Sequence, residues 1–456
     1  MPILPIDTGR YGTPEMQRIF EENHRLQTML DVEAALAWAH GEVGNIPKVD
    51  AQRIVEWATI DRVKLDRVKE IERDIKHDIM SLVRALAETC GESGAYVHLG
   101  ATSSDIVDTA MALQLRDALD QVETRLDHLE GTLMEKAERY KKTIMIGRTH
   151  GQHALPITFG FKVAVWMREI ARHTSRLRDG RERVLVGKMS GAVGTHAGLG
   201  PKAFEIQKLV MERLGIKPAE ISTQIVQRDR YAEIICLLAM IASTLDGVAT
   251  EIRELQRPEI GEAFEFFQRE KQVGSSTMPH KRNPETCERV CGLARIVRSL
   301  VVPALENIPT WHERDLTQSS AERFIIPEAF ILIDYMLFLM DNIIAQLYVD
   351  EQRMQENLNL TQGRAMSEAV MLALVKKGMS RQEAHELLRT LTIKSEVEKQ
   401  PLKKILMEDN TARAKLNEKE IGNALNPHNY LGTATKQVEL VIKKTRQERK
   451  ARELAD

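Results

Sequence analysis

Apolar residues along most of this chain return every three or four positions, the period of a helix that buries one face. Between residues 110 and 143, Leu113, Leu119, Val122, Leu126, Leu129 and Leu133 fall at steps of three, four and six, with no proline among them. At a rise of about 1.5 Å per residue such a helix runs for roughly 50 Å. Comparable windows cover about 157–180, 228–256, 284–301 and 327–349. Five long helices with little between them predict an all-α bundle whose members span the molecule. Apolar faces of that length are seldom covered within one chain, so an oligomer is expected. No alternating run is long enough to predict a strand, and no longer repeat recurs.

Before about residue 107 the helical windows are shorter and have polar breaks. From 354 they shorten again, interrupted at Lys399-Gln-Pro401 and Asn426-Pro-His-Asn-Tyr430. The expected layout is an N-terminal helical domain over 1–107, a central long-helix domain over 108–353 and a C-terminal helical domain over 354–456. Gly187, Gly191, Gly194, Gly198 and Gly200 read as a loop or hairpin. That cluster lacks the Lys-Ser/Thr ending of a phosphate loop and follows no predicted strand. The most apolar stretch, Ala329–Tyr348, carries Asp334 and Asp341 on one helical face. Two such charges favour a buried core helix over a bilayer span.

Charge narrows the function classes. The chain has 64 basic and 66 acidic side chains, a formal net charge of −2. That balance removes the electrostatic case for a nucleic-acid or membrane-surface partner. The basic tail from Lys443 to Arg452 then reads as a solvated helix end. With 5% aromatic residues, 26 glycines and 15 prolines, neither an all-β nor a disordered chain is expected. Cys90, Cys236, Cys287 and Cys291 form no Cys-x-x-Cys pair, so a disulfide scaffold is excluded and a reducing compartment fits. The start, Met1-Pro-Ile-Leu-Pro-Ile-Asp7, shows no basic segment followed by an apolar core. A cytoplasmic protein is expected.

Four stretches could carry chemistry. In Lys271–Glu288, a small hydroxyl-bearing loop at Gly274-Ser275-Ser276 is followed by Asn283-Pro284, which reads as N-cap plus first-turn proline of a helix bearing Glu288. A helix N-terminus beside Lys281 and Arg282 makes an anion site. Gly147-Arg-Thr-His-Gly-Gln-His153 holds a His-x-x-His pair with no third ligand at matching spacing, so no metal is expected. In Gly100-Ala-Thr-Ser-Ser-Asp105, Thr102 and Asp105 form a capping box whose hydroxyl-rich end could also receive a carboxylate.

The fourth stretch is Trp311–Arg323. Ser319 and Arg323 are four apart and share a helical face. Arg314 lies nine residues before Arg323, on the far side of a straight helix, so convergence requires a helix start between them. Ser319 with Glu322 supplies a capping-box signal for that start. Two arginines and helix-end N–H groups would then face one dianion. In the competing reading, Asp315 and Glu322 simply pair with the arginines on a surface.

Gly274-Ser-Ser-Thr-Met-Pro-His-Lys-Arg-Asn-Pro284, with Glu288 beyond it, resembles the signature of the fumarase/aspartase superfamily. The resemblance implies a three-domain all-α fold with a central long-helix bundle forming a tetrameric core, active sites shared between subunits, and β-elimination of fumarate from a substituted succinate. It further implies that Thr149-His150 supplies the general acid, with Glu288 holding the ring, and that Ser275 is the base. Ser276, Met278, Lys281 and Asn283 would surround the substrate, while Thr102 and Ser103 grip its carboxylates.

Four further stretches are similar to the adenylosuccinate lyase branch of that superfamily. They are Arg10-Tyr-Gly-Thr-Pro-Glu-Met16, Lys76-His77-Asp78, Ser222–Asp229 with Gln224, and Trp311–Arg323 with Arg314, Ser319 and Arg323. This likeness implies that His77 is the family's second catalytic histidine, orienting the substrate or its phosphate with Asp78, and that Arg10, Tyr11 and Gln224 line the site. It assigns Arg314, Ser319 and Arg323 to the phosphate and ribose of a succinylated purine nucleotide, with no metal or organic cofactor. Carboxymuconate cycloisomerases carry a nearly identical signature, but a tryptophan is typical at the position of Ser319. A crystallin-like structural role is the reading from another class, against which stand Ser275, His150, Lys281 and Glu288 together.

Overall fold

The computed structural model describes residues 4–266, 277, 278 and 280–454, mostly in helices. Those that position the site are α1 (Glu22–Glu42), α2 (Leu65–Ile75), α3 (Asp78–Cys90), α4 (Ser103–Arg139), α5 (Phe159–Val184), α6 (Asp229–Gln256), α7 (Glu285–Ser299), α8 (Thr317–Gln346) and α9 (Ala434–Glu453). The five windows of helical period correspond to α4 to α8. The six apolar residues that define the α4 pattern, from Leu113 to Leu133, are all buried. α8 starts ten residues before its window, and Pro327 lies inside it. The extra turns carry no apolar period; Glu322 within them is drawn inward by buried Arg228 instead.

Asp334 and Asp341 both face protein. Asp334 is fully buried and accepts from the Thr13 hydroxyl, Gln121 (3.1 Å) and Arg125 (3.0 Å). Asp341 accepts from the Thr132 hydroxyl at 2.5 Å. By length and composition α6 is apolar enough to cross a membrane, but 61% of its most apolar window is buried inside the protein, as in a core helix.

Strands are present where none was predicted. β1 (Ile144–Thr149) and β2 (Gln152–Thr158) form an antiparallel hairpin, pairing Ile144 with Thr158, Ile146 with Pro156 and Thr149 with Gln152. Ile144, Met145 and Ile146 are buried in succession, so the hydrophobic pattern shows no alternation to read. β3 (Val186–Gly187) pairs in parallel with β4 (Lys217–Pro218), so the glycine cluster that follows is a loop and not a hairpin. Gly194 has φ +85°, and a Cβ there would collide with the Ser222 carbonyl. β5 (Ala263–Phe264) pairs antiparallel with β6 (Tyr348–Val349).

Contacts group the chain into two units. One comprises Met1–Asp127, Arg172–Leu245 and Gly292–Phe338; the other comprises His128–Ala171, Asp246–Cys291 and Leu339–Asp456. Each of α4 to α8 contributes residues to both. The first unit packs Val32, Leu36, Ile106, Leu113, Met189 and Ile206 into one core cluster, and the second packs Val370, Leu374, Leu388, Leu402 and Leu406 into another. The basic tail departs from the expected solvated end. Within the second unit Arg449 and Arg452 of α9 both reach the buried carboxylate of Glu130, and Glu448 pairs with Arg168 at 2.5 Å. All four cysteines are free thiols.

Candidate active site

In the first unit a cavity of about 540 Å³ is lined by His77, Asp78, Ser103, Arg314, Ser319 and Arg323, together with Lys76 and Ser104. Six residues singled out in three separate stretches of sequence thus meet in one place. The turn that delivers the first two begins at Lys76, which closes α2 in the left-handed region at φ 57°. His77 then caps α3, its Nδ1 accepting the Met80 N–H at 3.2 Å. With Nδ1 an acceptor, the neutral ring carries its proton on Nε2. Asp78 accepts the Ile79 N–H at 2.8 Å and Arg323 at 2.6 Å. Burial pushes its carboxyl up, but the Ile79 N–H and the Arg323 guanidinium outweigh it and hold the group below the usual carboxylate range.

Arg314 precedes α8, while Ser319 and Arg323 lie one turn apart inside it. A helix start therefore does separate the two arginines, as their convergence requires. The predicted capping box does not form. Asp315 caps instead, accepting the Thr317 N–H at 2.7 Å and its hydroxyl, and accepting the Trp311 N–H at 2.8 Å. Glu322 turns away from the cavity to a buried pair with Arg228 (2.7 Å), which also holds Asp108 (2.8 Å). Neither acid pairs with Arg314, whose Nη1 donates to Gln224 Oε1 at 3.1 Å and whose Nε is buried with no partner. An unspent buried donor beside a cavity suits a missing acceptor.

At the start of α4, Asp105 accepts the Thr102 N–H at 2.8 Å, one half of the expected capping box. The same fully buried carboxylate holds Lys188 Nζ at 2.5 Å and the N–H groups of Ser190 (2.9 Å) and Gly191 (3.1 Å). This hub fixes where Thr102 and Ser103 sit. Arg10 donates to the Tyr11 hydroxyl at 3.4 Å, and the Tyr11 ring lies 6.2 Å from that of Tyr335; neither residue lines the 540 Å³ cavity.

The remaining candidates belong to the second unit. Thr149 and His150 are exposed at the hairpin tip, where His150 (φ 54°) and Gly151 (φ 73°) form the two-residue turn. Positive φ at both central positions is the pattern that matches strand twist. Arg148, at the base of that tip, makes a two-pronged pair with fully buried Glu262, both contacts 2.8 Å. His153 is pushed below the usual imidazole range by burial and by Arg148, and its Nδ1 has no partner.

Ser275 and Ser276 lie outside the described residues. Met278 and Lys281 are exposed, and the Lys281 N–H donates to the Met278 carbonyl at 3.0 Å. Asn283 and Pro284 lead into α7, which begins at Glu285. The free anion site expected there is already filled: Glu265 accepts the N–H groups of Thr286 (3.1 Å) and Cys287 (2.9 Å). Glu288 is exposed one turn into the helix, and no hydrogen bond joins it to His150 within the chain. No group of three His, Cys, Asp or Glu suited to a metal occurs among the described residues.

A helical chain with this signature is a lyase by family: a family model described as Lyase matches residues 9–298, and one described as Adenylosuccinate lyase C-terminus matches residues 363–441. The chain is 55% identical over 442 residues to the adenylosuccinate lyase of Pyrococcus abyssi, covering 97% of this chain and 98% of that one. It is 48% identical to that of Methanocaldococcus jannaschii over 444 residues, covering 97% and 96%. The 3-carboxy-cis,cis-muconate lactonizing enzyme structure from Pseudomonas putida matches with a TM-score of 0.89 at 34% identity, covering 97% and 99%. The chain belongs to the adenylosuccinate lyase family.

Proposed function

We propose that this enzyme cleaves adenylosuccinate to AMP and fumarate by β-elimination, and splits the succinylated aminoimidazole carboxamide ribotide of purine biosynthesis in the same way. The observation that carries the reading is near-full-length identity of 43–55% to curated adenylosuccinate lyases. The muconate enzymes share the fold at 28–34% identity, and the curated matches favour the purine substrate over theirs.

Elimination must remove a weakly acidic C–H beside a carboxylate, leaving a dianionic aci-carboxylate whose charge has to be stabilised. In this reading Lys281, Asn283, Thr102 and Ser103 take that charge. Ser275 is the base, effective because a neighbouring cation stabilises its alkoxide. His150 protonates the departing nitrogen, a general-acid task suited to an imidazole, with Thr149 beside it and Glu288 as orienting group. Ser276 and Met278 flank the reacting carbons. His77, Asp78, Arg10, Tyr11 and Gln224 orient the nucleotide, and Arg314, Ser319 and Arg323 hold its phosphate and ribose. The buried, unpaired Nε of Arg314 supports that last assignment.

The same proposal includes a cytoplasmic homotetramer with active sites shared between subunits, the three-domain division at 107 and 353, and chemistry that needs no metal or organic cofactor. Incubation with adenylosuccinate while following fumarate release tests the reaction. Turnover of carboxymuconate with no fumarate from adenylosuccinate would overturn it.

A further inference from the structure

We propose that Glu262 and Glu265, three residues apart in the chain, are positioning residues that form a bracket, one carboxylate setting the hairpin of His150 and the other setting the segment of Lys281 and Asn283. All the groups concerned lie in the second unit. The functional half of this inference rests on the roles proposed above for His150 and Lys281.

Glu262 is fully buried, and both its oxygens are committed. Oε2 accepts Arg148 Nη1 and Oε1 accepts Arg148 Nη2, each at 2.8 Å, while Asn357 Nδ2 donates to Oε1 at 2.8 Å. Asn357 is itself tied to the Ile260 carbonyl at 2.7 Å. A two-pronged guanidinium–carboxylate pair fixes orientation as well as distance. It grips Arg148 two residues before His150, on the strand that leads into the turn.

Glu265 faces the other way. Its carboxylate caps α7 through the N–H groups of Thr286 and Cys287. Its own N–H donates to Gln256 Oε1 at 2.9 Å, and Gln256 Nε2 donates to the Arg282 carbonyl at 3.2 Å. The backbone from Arg282 to Cys287 is thereby held at both ends by groups that Glu265 anchors. Lys281 and Asn283 flank Arg282, so their reach is set by this pair of contacts. Between the two acids, Ala263 and Phe264 are β5, paired with β6, which keeps the carboxylates at a constant spacing. Neither acid is assigned a substrate contact in this reading, and misplacement of catalytic groups by even about 1 Å lowers turnover steeply.

The test uses the full-length protein. Glu265→Ala is expected to lower kcat about tenfold or more with KM within about threefold, and Glu265→Gln, which keeps an acceptor at the helix end, to retain more turnover than alanine. Glu262→Gln is expected to show the same kcat-weighted loss. Should that variant fail to fold because Arg148 is left unpaired, the double variant Glu262→Gln/Arg148→Gln is measured in its place. Amide hydrogen exchange supplies a readout independent of substrate: Glu265→Ala should speed exchange at Thr286 and Cys287, and Glu262→Gln or its double variant should speed it across the hairpin tip.

Folded variants with kcat within about twofold of the parent would overturn the positioning role. Unchanged exchange at those amides would overturn the bracket itself. If the parent protein releases no fumarate, the reaction assigned above fails, while exchange still decides whether the bracket exists.

Discussion

His150 occupies a backbone region that side chains other than glycine and asparagine enter at a cost of about 1 kcal/mol or more. The hairpin turn requires it, and the reward is a ring projected from the tip of a rigid ladder. His150→Asn is therefore the cleaner probe than alanine, since asparagine tolerates positive φ. It should keep the circular dichroism spectrum and lose on the order of a hundredfold in kcat; near-normal turnover would remove the acid role. Arg314 calls for the opposite signature. With its Nη1 on Gln224 and its Nε unspent, Arg314→Ala should raise KM about tenfold with a smaller change in kcat. A pure kcat effect at unchanged affinity would contradict a nucleotide-holding role.

At the scale of elements, ends matter more than middles. The starts of α3, α7 and α8 are held by His77, Glu265 and Asp315, and each of these sits beside residues proposed to meet substrate. The finish of the chain is held differently. α9 sends Arg449 and Arg452 to Glu130, which is fully buried and pushed up by burial against the pull of both arginines. Removing a buried charge strands its partners, a penalty larger than the worth of the pair. Glu130→Ala should therefore destabilise by about 2 kcal/mol or more, read as a lower unfolding midpoint with kcat of the folded enzyme unchanged. An unaltered midpoint would mean that the Glu130 pair contributes nothing to holding α9.

For the molecule as a whole, buried imidazoles set the response to acid. His173 is pushed down to about 4 by burial and by Arg176 and Arg172, with its ring held between Thr244 (2.9 Å) and Arg176 (3.3 Å). Burial likewise lowers His40 and His153. Such groups stay neutral in the fold and gain protons on unfolding, so their contribution is complete above about pH 6.5 and drains away as pH falls, for His173 down to about 4. His98 has the reverse sign: burial lowers it, the Glu33 carboxylate raises it more, and its contribution fades as pH climbs past the usual imidazole range. Replacing His173 with leucine should flatten the loss of stability between pH 6.5 and 4 by about 3 kcal/mol, measured by denaturant unfolding. An unchanged slope would show that other groups carry the acid response. Val165, Met240, Ile296 and Phe338 are large apolar side chains left exposed on α5 to α8, as expected of helices that bury part of their surface in an assembly. Light scattering should then give a mass four times the 51.7 kDa chain, and a monomer would contradict the proposed tetramer.

Helical period and residue chemistry determined much by themselves. The α4 to α8 windows, the charges that keep Ala329–Tyr348 off a membrane reading, and the motif residues that meet in the 540 Å³ cavity were all legible, because each depends on neighbours within a turn or two or on a contiguous motif. The hairpin of His150 was not, since its short strands are buried without alternation. Nor were the partners of acids: Glu322 lies 94 positions from Arg228, and Arg148 lies 114 from Glu262. Local pattern says which face of an element is apolar. Which charge neutralises which is settled by packing, where a buried ion takes whatever partner the tertiary fold brings within hydrogen-bond reach.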